Sequence, residues 1–138
     1  MFKKILIYGL IIFLLAACSK QDVVEDKSMP NISLQDVKNA IAEKELELKD
    51  ADLPSGNIFI QKLNGVPPQI YFLDGSALSI YVFSDVDARK EAMDVFEEKS
   101  ATASLEPYKT FTAQNVLVFY VEGSEENNNK LMNIIKSL

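Results

Sequence analysis

The chain contains no histidine. Without an imidazole, neither a Ser-His-Asp nor a Cys-His couple can be assembled, and the usual histidine-bearing zinc sites are excluded. Cysteine is nearly as scarce. Cys18 is the only one, so no disulfide can close within the chain and a folded domain must rely on its apolar core. The five glycines are scattered singly, and no glycine-rich loop is present to cradle a phosphate. No segment repeats, and the one biased run, Asn127-Asn128-Asn129, is short. A long apolar stretch is missing too. Ile5 to Ala17 is thirteen residues without a charge, whereas a helix that spans a bilayer needs about 20.

That short run does fit the core of a secretory signal, with Lys3 and Lys4 before it. Its end, Leu15-Ala16-Ala17-Cys18, has the lipobox pattern: small residues suit the signal peptidase, and the cysteine thiol takes a diacylglycerol before cleavage. Residues 1–17 are therefore expected to be a signal peptide, and Cys18 the lipidated N-terminus of the mature chain. Two acyl chains hold a protein on a membrane, whereas one holds it only marginally. Residues 18–30 read as a tether. SKQDVVEDKSMP is mostly polar, and twelve flexible residues reach about 20 Å root-mean-square. Residues 31–138 read as a single domain. Once Cys18 carries lipid, no free thiol is left as a nucleophile.

Loss of Lys3 and Lys4 with the signal leaves 12 basic against 20 acidic residues, a net charge of −8. Nucleic acid is excluded as a partner by that sign. Close adsorption on anionic lipid is disfavoured for the same reason. Solubility accounts for the acidity, and a basic partner or cations would also be attracted by it.

Within the domain, Ser33 can cap a helix whose apolar stripe is Leu34, Val37, Ala40 and Ile41. Glu45 to Lys49 alternates, which suits a short strand or an extension of that helix, with Pro54 and Gly56 closing the segment. Ile58 to Leu63 is expected to be a strand, followed by an Asn64-Gly65 turn. Gln69 to Leu73 and Ala77 to Phe83 flank Asp74-Gly75, a dipeptide that supplies the positive φ angles of a tight hairpin. A helix is expected from Asp85 to Lys99, with Val86, Ala92, Met93 and Phe96 on its apolar side. Strands at Tyr108 to Thr112 and Val116 to Val121 follow, then a helix capped by Ser124 that buries Leu131, Ile134, Ile135 and Leu138. The expected class is α+β, with a mostly antiparallel sheet of about five strands packed with three helices in two layers.

Signals for chemistry are weak. Asp85-Val86-Asp87 resembles the opening of a calcium loop, but the remaining ligands are missing and helix capping explains it. Ser76 and Ser79 could pair with Lys62 or Lys109 as nucleophile and base, yet no spacing holds them together. No catalytic residue, metal ligand or cofactor is assigned, and the chain is not expected to be an enzyme. The strongest lead is aromatic. Successive strand residues face opposite sides. Val116, Val118 and Tyr120 therefore oppose Leu117, Phe119 and Val121, and both faces of that strand are apolar. Something must cover the second face: a helix, a loop, a second copy or a ligand. Tyr71, Tyr81 and Tyr120, with polar tips on apolar rings, form a candidate binding face. Full burial within the monomer is the competing reading.

The segments KLNGVPPQIYFLDG, LSIYVFSD, DARKEAMDVFEEKSATASL and NVLVFYV resemble small lipoproteins of Bacillus-type Gram-positive bacteria over roughly residues 58–121. The resemblance implies a place, the extracytoplasmic face of the cell membrane, and nothing about chemistry. In a Gram-negative source, Ser19 after the lipidated cysteine would permit sorting to the outer membrane.

Two functions fit. One is a non-enzymatic interaction or accessory domain that docks a protein partner at the cell surface. An acidic inhibitor of a basic wall hydrolase is one version, with a negative patch around Glu97, Glu98, Glu122 and Glu125. The alternative is a small-molecule or ion carrier serving a membrane transporter, with a closed pocket lined by Tyr71, Tyr81 or Tyr120. The anchor itself has a direct test. Cys18→Ala should leave an uncleaved precursor or release the protein from membranes, read by gel mobility and fractionation. Wild-type processing and retention would contradict it.

Overall fold

One strand of this chain, VLVFYV at residues 116–121, has no polar side to offer to water, and the fold is arranged around it. The computed structural model describes residues 31–138; the expected signal peptide, Cys18 and the tether lie outside the described residues. The chain runs α1 (Leu34–Glu43), β1 (Leu48–Asp50), a single 3-10 turn (Ile58–Ile60), β2 (Gln69–Leu73), β3 (Ser76–Val82), α2 (Val86–Ser100), β4 (Tyr108–Ala113), β5 (Val116–Val121) and α3 (Glu125–Lys136). The five strands form one antiparallel sheet in the order β1-β2-β3-β5-β4. The class is α+β, with three helices packed on the sheet.

All six residues of β5 are buried, none more than 6% exposed. Alternation divides them between two cores. Val116, Val118 and Tyr120 join Leu78 and Ile80 of β3 against Val37 and Ile41 of α1 and Leu131, Ile134 and Ile135 of α3. Leu117, Phe119 and Val121 join Tyr81, Phe83, Phe59 and Leu63 against Ala92 and Phe96 of α2. The helices thus lie on both faces, and the two layers expected from the sequence become three. The physical reason is the two-sided apolar character of β5, since a strand with no polar face must be covered twice.

The turns follow their residues. Asp74 and Gly75 have φ of 50° and 79°, as a two-residue hairpin turn requires. Ser33 and Asp36 form a reciprocal capping box at α1. The Ser33 amide and hydroxyl together hold the Asp36 carboxyl below the usual carboxylate range. Asp85 and Ser124 cap α2 and α3 through their side chains. The alternation at Glu45 to Lys49 resolves into a left-handed residue, Glu45 at φ 61°, and the short strand β1.

Two expectations are corrected. Ile58 to Leu63 is not a strand. After the 3-10 turn it crosses the sheet face, and the carbonyls of Phe59 and Gln61 accept hydrogen bonds from the Ser79 and Tyr81 hydroxyls below them. Those carbonyls point into the sheet face, so they cannot serve a strand ladder. Val86 is not on the buried side of α2. It is the first helical residue and 38% exposed.

One polar side chain is built into the core. The buried Asn115 amide accepts from the Ile32 N–H at 2.8 Å and donates to the carbonyls of Ile32 and Phe83, each at 2.9 Å. It acts as a short strand partner for the residue at which the domain begins. Removing it strands three buried backbone groups, each worth about 1–3 kcal/mol when unpaired. Asn115→Ala should lower stability by about 3 kcal/mol in urea unfolding. An unchanged midpoint would show that water replaces the amide.

Candidate functional site

Each of the three candidate tyrosines is held by backbone geometry in a different way. Tyr81 lies on the α2 face of β3 and is fully buried. Its ring stacks on Phe83 at a centroid distance of 5.9 Å and meets the Phe119 ring edge-on. Its hydroxyl donates to the Gln61 carbonyl at 2.7 Å. Tyr120 lies on the opposite face, buried against α3. Its hydroxyl donates to the Leu73 carbonyl at 2.9 Å and accepts from the Asn127 amide, which also donates to Asp74. Gly123 has to be glycine here: a Cβ would sit 1.9 Å from the Tyr120 ring. Tyr71 shares the Tyr120 face and is 6% exposed, with the Lys38 ammonium 5.4 Å from its ring centroid.

The candidate binding face is therefore not one face. Tyr81 is separated by the sheet from Tyr71 and Tyr120, and the chain's own helices and loops cover all three. The hydroxyls of Tyr81 and Tyr120 are occupied by internal partners, as burial of a tyrosine requires. The densest aromatic contacts centre on Phe119, which meets Phe59, Tyr81, Phe96 and Tyr108 at centroid distances of 4.4–5.9 Å, and Phe59 itself packs on Phe96 and Tyr108. Phe59 was not singled out in the sequence because a strand was expected there.

The weaker motifs also become structural. The Asp85 carboxylate accepts from the Ala88 N–H at 2.8 Å, which is a helix cap. Ser79 is buried and donates to the Phe59 carbonyl, while Ser76 donates to the Glu122 carbonyl. Neither serine is hydrogen-bonded to a lysine. Among the described residues, no three His, Cys, Asp or Glu side chains lie close enough to hold a metal ion.

Four concavities among the described residues are surface depressions open to solvent. One of 250 Å³ lies between residues 56–59 and 103–106. A groove of 410 Å³ runs between the end of α1 and β1. A third, of 200 Å³, is lined by Tyr108, Lys109, Tyr120, Glu122 and Asn128, and a fourth, of 240 Å³, by Lys44, Lys130, Asn133 and Ile134. None of these is lined by Tyr71 or Tyr81.

No protein family, curated protein or solved structure matches the chain.

Burial pushes the Tyr81 phenol well above its ordinary value. The protonated form is the one favoured by folding. Its contribution is fully present below about pH 10, where the unfolded chain also keeps the proton, and is lost as pH rises beyond that. Urea midpoints should fall above about pH 10, and Tyr81→Phe should flatten that fall. At neutral pH the same variant should lose about 1–3 kcal/mol, because the Gln61 carbonyl loses its donor. An alkaline profile identical in both proteins would contradict the burial of this hydroxyl.

Proposed function

We propose that the chain is a lipid-anchored extracytoplasmic protein whose domain works without catalysis, by docking another protein at the cell surface. The diacylglycerol on Cys18 would hold it to the outer face of the cell membrane, and the resemblance to Bacillus-type lipoproteins supports that placement. The observation that carries the docking reading is the double cover of the sheet. Both aromatic faces are sealed by the chain's own helices, and the three tyrosines spend their hydroxyls or rings on internal partners. A carrier would need them to line an enclosed cavity. The four depressions described above are open to solvent, which suits contact with a partner's surface better than enclosure of a solute.

The reading is tested on the full-length lipoprotein in two steps. Native mass spectrometry from detergent micelles should show the protein with its lipid and no stoichiometric small ligand. Chemical crosslinking in living cells should yield one dominant protein adduct. A bound small molecule at one per chain, with no protein adduct, would favour the carrier instead.

A further inference from the structure

The sheet ends at β4, and that end is far less guarded than the other. Exposed edge strands are normally kept short, bent by a bulge or broken by proline or charge. The opposite edge obeys this: β1 has three residues, two of them Lys49 and Asp50. β4 has six residues, pairs with β5 one-for-one without a bulge, contains no proline and carries a single charge, the exposed Lys109. Ala113 and Val116 flank a two-residue turn and so form a hydrogen-bonded pair, and such pairs alternate along the ladder. Lys109, Phe111 and Ala113 therefore bond inward to β5. Tyr108, Thr110 and Thr112 point their N–H and C=O groups outward, and no described residue pairs with them.

Each flank of this edge carries an apolar side chain that is left partly exposed. The two most exposed large apolar side chains of the domain are Met132, at 45%, and Val86, at 38%. On α3, Asn128 lies beside Tyr108 and Lys109 in the 200 Å³ depression, while Lys130 and Ile134 border Lys44 beyond α1 on the other flank. Met132 is one turn on from Asn128 and shares its flank, toward β4. On α2, Arg89 donates to the Gln114 carbonyl at 2.6 Å, which fixes that flank over the β4–β5 turn. Val86 and the half-buried Met93 lie three residues before it and four after. The exposed apolar residues of two helices on opposite faces thus bracket the same open edge.

We infer that β4 is a docking edge that takes an extended, net-basic segment of a partner protein as a sixth strand. Main-chain hydrogen bonds to Tyr108, Thr110 and Thr112 would hold it. Its alternate side chains would lie against Met132 on one face and against Val86 and Met93 on the other. Charge selects the occupant. Without Lys3 and Lys4 the chain has 20 acidic residues against 12 basic, and where β4 begins the exposed Glu106 and Glu122 outnumber the exposed Lys109. A second copy would bring like charge to like, whereas a basic segment is attracted. The inference rests on the docking reading above and names the surface and chemistry of the partner.

The test places a photo-crosslinking amino acid at Val86, at Met132 and, as a control on the far side, at Lys44 in the full-length protein in living cells. The same partner should be captured from Val86 and Met132 and not from Lys44. The captured segment, read by mass spectrometry, should carry more Lys and Arg than Asp and Glu. Thr110→Pro removes an outward N–H that β5 does not use, and edge strands tolerate proline at such positions. It should abolish both adducts while a circular dichroism melt shows the fold retained. Should that variant fail to fold, Met132→Glu on the exposed helix flank should weaken capture from Val86 instead. Capture from Lys44 alone, or capture indifferent to these variants, would overturn the edge and leave the docking reading standing. A homodimer adduct, an adduct to this chain's own residues 19–30, or an acidic segment would also overturn it. No protein adduct from any position would remove both readings together.

Discussion

β5 is the element on which the rest of this structure depends. Val116 to Val121 offers no polar side chain to either face, so neither face can be left to water. One face is met by α1 and α3 and the other by α2 with the segment around Phe59. Each cover then fixes something further. The segment around Phe59 is held down by hydroxyls rising from the sheet, Ser79 and Tyr81. The start of the domain is held by Asn115, which stands just before β5 and bonds both backbone groups of Ile32. A substitution such as Phe119→Ala would open a cavity in a ring cluster where Phe96 lies 4.4 Å away, at a cost of about 3–5 kcal/mol.

This arrangement has a functional corollary. A sheet sealed on both faces has only its edges and its helix exteriors left for contact with other molecules. The aromatic residues that look like a binding surface in the sequence are used to close the protein, and in the proposed reading the contact surface falls to residues that look ordinary. Tyr108, Thr110 and Thr112 form no motif. They become distinctive only once β4 is known to be the last strand and the exposed apolar residues of α2 and α3 are seen on either side of it.

Much of the fold was legible from local chemistry. Ser33, Asp85 and Ser124 mark the three helix starts because side-chain caps are local, and Asp74-Gly75 marks its hairpin because positive φ is a property of few residues. The two-faced β5 was visible as alternation, together with the need for a second cover. What covers it was not legible, since strand order and layer count depend on pairings distant in sequence. Ile58 to Leu63 misled for a related reason: a β-branched and aromatic run suits a strand and a sheet-crossing segment equally, and only the hydroxyls beneath it distinguish them. Gln114-Asn115 was a missed turn signal, two polar residues between two apolar runs, with Gln114 left-handed at φ 49°. The first asparagine of the Asn127 run is buried against Tyr120, a long-range contact that composition cannot reveal.

Native-state hydrogen exchange, read residue by residue, tests the central claim most directly: that one sheet is sealed on both faces and open at one edge. The account predicts that the amides of Leu117 to Tyr120 exchange only through global unfolding. The amides of Thr110 and Thr112 should exchange in the folded state at rates near those of an unprotected chain. Exchange of the β5 amides through a partial opening that releases either helical cover would contradict the double seal. Strong protection of Thr110 and Thr112 in the isolated protein would contradict the open edge.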